Sequence, residues 1–289
     1  MLSNKVALIT GGARGIGFAI AKELVNQGAI VIICSRTKSE IQKALSALNK
    51  KNVVAYGISC DVSKFTDCKK LIKFAQIKLK KIDILVNNAG IYGPIGPFQN
   101  LSLNNWNKAF EINFMGIVYL SHLVIPLMEK GGGGKIINLC GAGVGGSKTM
   151  PNFSAYFTSK FAVAGFSEVL ADELKEKNIQ VNAISPGSVN TYLNDYLIKQ
   201  GPKKSGKEIY QNAIKQKKLG GMPPELAAKL VVYLSSTQSN HITGRLLSAK
   251  WNPPAKLRKN EQSSSTNKLS NNLYKLRRVD QEFIYEKGS

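Results

Sequence analysis

Short apolar runs and amphipathic stretches of helical length alternate along most of the chain. VALIT at residues 6–10 is followed by a helical pattern over 15–27, AIVIIC by one over 38–49, and VVAYGISC by one over 64–80. IDILVNNAG, KIINLC and IQVNAISPG continue the series, with helices predicted around 103–129 and over 154–177. Runs that are apolar throughout, rather than alternating, suit strands buried on both faces, and helix-length segments between them suit crossovers between parallel strands. After residue 190 the text turns to polar loop and helix up to about 220, then a helix from Pro224 and a short strand near 245–249. The expectation is α/β, one open doubly wound sheet of seven parallel strands with helices on both faces. Residues 1–250 read as a single domain, and 251–289, opening on WNPP and running through Ser, Asn, Lys and Gln, as a basic polar tail.

Composition narrows the class. A chain of 289 residues with 43% hydrophobic content is long enough to bury one large core. No uninterrupted apolar run approaches the length of a membrane span, and the N-terminal run is too short for a signal segment, so a cytoplasmic location is expected. Cys34, Cys60, Cys68 and Cys140 are scattered without a CxxC and read as reduced, buried thiols, while His122 and His241 lie near no acidic or cysteine cluster, which argues against a metal site. The net charge of +22 invites an anionic partner, but the lysines are spread along helices without interleaved aromatics, so no specific nucleic-acid binding is expected.

Three places carry candidate chemistry. TGGARGIG, residues 10–17, closes the first strand and opens the first helix, where backbone N–H groups and the helix dipole can hold a pyrophosphate; Gly11, Gly15, Ile16 and Gly17 are the candidate contacts. At the end of the second strand Ser35 and Arg36 stand where an acid would select an unphosphorylated ribose, with Arg14 as a second guanidinium and no acid among them, which points to NADP(H) rather than NAD(H). Tyr156 and Lys160, four apart on a helix, share a face, so the ammonium is expected beside the phenol, lowering its pKa toward neutrality. GAGVGGSKT is not a triphosphate loop, because Ser147 separates Gly146 from Lys148.

Together with Asp61-Val62, NNAG at residues 87–90, Asn113 and Pro186-Gly187, these motifs occur in the order and spacing of the short-chain dehydrogenase/reductase family, which residues 4–250 resemble. The resemblance implies a Rossmann-like sheet, a nicotinamide cofactor, a carbonyl or secondary-alcohol substrate, and a homotetramer or dimer built through the helices carrying Asn113 and Tyr156. By position Asp61 and Val62 would meet the adenine, Asn87, Ala89 and Gly90 the cofactor groove, and Val189 and Thr191, after Pro186-Gly187, the carboxamide. Tyr156 would be the proton donor, Lys160 would hold the ribose, and Asn113 would support a water chain to Lys160. The family's catalytic serine is expected at Cys140-Gly141, which has no hydroxyl; Ser147 curling back, Cys140 or a water serving poorly, and a protein with little turnover are the alternatives. A 3-oxoacyl-carrier-protein reductase and a cofactor-binding scaffold or sensor are the rival functions, and PNFSAY and LYKLRR resemble reductases of nucleotide-sugar or polysaccharide pathways. Seven lysines against one acid in residues 199–218 favour an anionic or carrier-bound substrate.

Overall fold

The structure is a computed structural model that describes residues 2–49, 54–141, 143–144 and 149–263. Seven parallel strands form one sheet: β1 Val6–Thr10, β2 Ile30–Ser35, β3 Ala55–Ser59, β4 Ile84–Asn87, β5 Gly134–Leu139, β6 Ile179–Ser185 and β7 Leu246–Ser248. Their order across the sheet is β3-β2-β1-β4-β5-β6-β7. The chain winds outward from β1 in one direction and from β4 in the other, so the crevice where ligands of such sheets bind opens beyond the C-terminal ends of β1 and β4.

Strand residues divide strictly between two apolar layers. Ala7, Ile9, Val31 and Ile33 pack on one face with α1 (Gly15–Asn26), α2 (Lys38–Leu48) and α9 (Pro224–Ser235). Val6, Leu8, Ile32 and Cys34 pack on the other with α3 (Phe65–Leu79), α5 (Gly116–Lys130) and α6 (Ser154–Glu173). This period of two with both sides apolar explains why the strands read as continuous hydrophobic runs. All four cysteines are free and buried.

Between α4 (Leu103–Phe110) and α5 the helix widens to a π turn, Glu111–Met115, with Asn113 inside it. Leu103–Lys130 is thus one helical stretch, long and apolar enough by length and composition to cross a membrane. Here Leu120, Val124 and Met128 are wholly buried against the sheet, which accounts for the apolar composition as that of a core helix. Beyond β6 lie α7 (Tyr192–Ser205), kinked at Gly201-Pro202, and α8 (Lys207–Leu219). After Trp251 a last helix, α10 (Pro254–Ser263), inserts Leu257 into the same layer as α9; the later tail lies outside the described residues.

Candidate active site

The turn after β1 is shaped for close backbone approach. Gly11 has a left-handed φ of 61°, and a Cβ there would stand 2.9 Å from Asn88 Nδ2; a Cβ on Gly17 would collide with the Gly11 carbonyl. Such positions tolerate only glycine. The turn is pinned from β4: Asn88 Nδ2 donates to the carbonyls of Thr10 (2.9 Å) and Gly11 (3.2 Å), and Thr10 Oγ1 accepts from the N–H groups of Asn88 (2.9 Å) and Ala89 (3.0 Å). α1 has no acidic residue in its first turn, so its exposed N–H groups keep their positive end toward the crevice.

A cavity of about 790 Å³ runs from this turn across the strand ends, and Gly11, Gly15, Ile16 and Gly17 line it as anticipated. Ala89 and Gly90 also line it, but Asn87 does not. Asn87 is buried in the sheet, its Nδ2 donating 2.9 Å to Asn138 Oδ1, and its own Oδ1 has no hydrogen-bond partner among the described residues. The groove residue is Asn88, its neighbour on the opposite side of the strand. Asp61 and Val62 line the wall beyond β3. Burial works against the Asp61 carboxylate, but hydrogen bonds from the Ser63 hydroxyl (2.7 Å) and N–H (3.1 Å), with the charges of Lys108 and Arg36, hold its pKa below the ordinary value. After β6, Thr191 reaches the cavity, whereas Pro186, Gly187 and Val189 do not line it; Val189 instead bridges to Gly221.

Arg14, Ser35 and Arg36 stand together at the outer end. An acid does join them: Glu40, in the first turn of α2, accepts from Arg14 Nη1 (2.9 Å) and from Ser35 Oγ (3.4 Å). Arg14 also stacks over the Tyr192 ring, 4.5 Å from its centroid, joining the glycine turn to the start of α7. α7 adds Tyr196, whose hydroxyl donates to the Gly93 carbonyl at 3.3 Å, and Asp195, which pairs with Lys217 of α8.

At the inner end Asn113 is completely buried, clasping Ile91 through Oδ1 (2.8 Å from its N–H) and Nδ2 (2.9 Å to its carbonyl), and donating to Ser159 Oγ at 3.0 Å. The π turn supplies the extra residue that lets a mid-helix side chain reach this loop. A Cβ on Gly90 would lie 3.2 Å from Asn113 Oδ1 and 3.5 Å from Lys160 Nζ, so both groups close on one backbone position. Lys160 is buried, and Nζ donates 2.7 Å to the Leu139 carbonyl. The ammonium is therefore not on the phenol; it lies 5.9 Å from the Tyr156 ring centroid. The expected lowering of the tyrosine pKa is reversed: burial, with Tyr92 and Cys140 alongside, pushes the Tyr156 phenol well above its ordinary value. Burial likewise pulls Lys160 down to about 8. Desolvation is the largest cause of both shifts.

Cys140 is corrected as a candidate. Its Sγ donates 3.2 Å to the Lys160 carbonyl within a packed cluster including Ile117 and Val163, and burial raises the thiol to about 11. The position facing the phenol is Gly141, where a Cβ would press on Tyr156 Oη, 2.9 Å from Cζ. Ser147 lies outside the described residues. Tyr92, which sequence reasoning passed over, lines the cavity and packs edge-on against Tyr156 with centroids 4.8 Å apart.

Comparison with known proteins identifies the family. Residues 5–201 match the model of the short chain dehydrogenase family. Dehydrogenase/reductase SDR family member 4 of Mus musculus is 34% identical over 256 residues, covering 89% of each chain. Its namesake in Caenorhabditis elegans is 36% identical over 247 residues, 84% of this chain and 93% of that one. Among solved structures, NAD+-bound xylitol dehydrogenase superposes with a TM-score of 0.77 at 28% identity, covering 86% of this chain and 98% of that one. Actinorhodin polyketide ketoreductase with NADPH gives 0.76 at 26% identity, covering 86% and 97%. The chain belongs to the short-chain dehydrogenase/reductase family of oxidoreductases.

Proposed function

We propose that the protein is an NADP(H)-dependent oxidoreductase interconverting a carbonyl and a secondary alcohol. The observation that carries this reading is one cavity with a glycine cradle and two arginines along its wall, and with Asn113, Lys160 and Tyr156 packed directly behind its lining residues Gly90, Ile91 and Tyr92. The cradle fits a dinucleotide: side chains are excluded at Gly11 and Gly17, and the α1 N-terminus suits a pyrophosphate. Arg14 and Arg36 would hold a ribose phosphate, Asp61 the adenine amine, and Thr191 the carboxamide. When bound, the nicotinamide supplies or accepts hydride at the substrate carbon.

The chain's own residues manage the proton. Tyr156, held protonated by burial, can give its Oη–H to a developing alkoxide, and Lys160, with its pKa near 8, is poised to exchange a proton close to neutral pH. Asn113 fixes the loop of Ile91 and keeps Gly90 open beside the ammonium. A second reading, a binder with weak turnover, is favoured by Gly141, which offers no hydroxyl to the reacting oxygen. Exposed Phe161 and Val169, two turns apart on α6, support assembly through that helix, as a dimer or tetramer; a monomer by sedimentation would refute that part.

Fluorescence titration and ketone reduction test the proposal together. NADPH should bind at least ~10-fold more tightly than NADH, and Tyr156→Phe should abolish reduction while leaving NADPH affinity within a few-fold. Equal affinities refute the cofactor choice; substantial activity in Tyr156→Phe refutes the acid.

A further inference from the structure

An anion of the protein's own, Glu40, stands directly beside the outer end of the cavity, bonded to two of its lining residues. Thr37-x-x-Glu40 has the spacing of a helix capping box, in which the glutamate would turn back to the start of its helix. Thr37 makes no side-chain cap bond, and Glu40 instead reaches out of α2 to Arg14 Nη1 at 2.9 Å and Ser35 Oγ at 3.4 Å. Those are two of the three side chains that line the place for a ribose substituent. A carboxylate held by a guanidinium and a hydroxyl has the partners that a phosphate monoester would take.

We propose that Glu40 is a specificity-determining residue of the cofactor pocket, its carboxylate holding the partners of a ribose phosphate. It competes with the phosphate of the phosphorylated dinucleotide for Arg14 and Ser35 and offers an acceptor to the free hydroxyl of the unphosphorylated one. Swinging clear of Glu40 would also cost Arg14 its contact with the Tyr192 ring, 4.5 Å from the guanidinium carbon. A dianion entering beside Glu40 meets like charge, and of the two arginines lining the cavity Arg36 is the one outside that ion pair to offset it. The pocket therefore discriminates less between the two dinucleotides than a pair of arginines alone would.

The inference rests on the proposed cofactor reading for the identity of the ligands, and its test separates the two. Full-length parent, Glu40→Gln and Glu40→Asp are titrated with NADPH and NADH at fixed ionic strength, reading dissociation constants from nicotinamide fluorescence. Glu40→Gln should shift the ratio of NADH to NADPH dissociation constants at least ~10-fold in favour of NADPH, the tightening of NADPH shrinking as salt is raised. Glu40→Asp, which keeps the charge, should stay within about threefold of the parent. A ratio in Glu40→Gln within twofold of the parent overturns the inference, as does an equal loss of both affinities in both variants, which would make Glu40 a helix-start residue only. A parent that prefers NADH overturns the cofactor proposal above, while the shift between parent and Glu40→Gln still decides the role of Glu40.

Discussion

Substitution of Gly141 isolates what the missing hydroxyl costs. A Cβ at this position would press directly on Tyr156 Oη and lie 2.9 Å from Cζ and 3.0 Å from Cε1. Carbon atoms rest at about 3.5–4.0 Å, so the phenol must withdraw by roughly 1 Å. Its ring has little room to do so, with Tyr92 packed edge-on at 4.8 Å. Overpacking of this kind costs about 1–3 kcal/mol of stability. A catalytic group misplaced by that distance loses on the order of 100-fold in rate. Gly141→Ala should therefore lower both the melting temperature and kcat/KM, the latter about 100-fold. Gly141→Ser imposes the same displacement but adds a donor beside the reacting oxygen, worth about 3 kcal/mol, or roughly 100-fold. It should lie near the parent in kcat/KM and well above the alanine variant, while sharing its loss of stability. The assay is NADPH consumption with a ketone that the parent reduces, alongside thermal unfolding. A Gly141→Ala variant as active and as stable as the parent would refute the placement of Tyr156 against Gly141.

The low pKa of Lys160 makes stability depend on pH in a defined direction. Because the folded value, about 8, lies below the ordinary 10.5, the unfolded chain binds more protons between those limits, so Lys160 contributes a rise in stability as pH climbs from 8 to 10.5. A shift of that size corresponds to as much as about 3 kcal/mol. Denaturant titrations should show that rise diminished in Lys160→Met; an unchanged rise would mean that other groups produce it. On α7 and α8, Lys217 lines the cavity and pairs with Asp195, whereas Lys203, Lys204 and Lys207 are exposed and do not line it. Lys217→Gln should accordingly raise KM for a phosphorylated ketone several-fold without lowering kcat, while changing the three outer lysines to Gln should weaken only its salt dependence at subsaturating substrate. Identical kcat/KM values for all three proteins at low salt would leave the charge of α7 and α8 without a role.

What was legible in the sequence follows the symmetry of each element. The strands stood out because both their faces are buried, and an amphipathic helix between each pair leaves little freedom of topology. The glycine turn and the Tyr156/Lys160 spacing were equally visible, since each depends on residues a few positions apart. The misassignments fall where one residue of register changes the outcome. Side chains alternate across a strand, so Asn87 faces the sheet and Asn88 the groove, and at the end of β5 Cys140 turns inward while Gly141 faces the phenol. Apolar runs mark where a strand is but do not fix which side of its last residue faces a ligand.

The remaining differences are competitions that a linear pattern does not register. Helical spacing brought Lys160 and Tyr156 to one face, but a buried ammonium takes the strongest acceptor in reach, and the carbonyl of Leu139, freed at the end of its strand, is 2.7 Å away. Glu40 escaped notice because it lies a helical turn beyond Arg36, in a pattern that suggests a cap; only the fold brings the first turn of α2 against the glycine turn after β1. Both cases have the same physical form. A charged side chain near a strand end has several local partners, and the one it keeps is set by which other charges the sheet order delivers to that end. In this chain β2 and β1 are neighbours, so an acid following one meets the arginine following the other, and the role proposed for Glu40 in cofactor selectivity rests on that meeting.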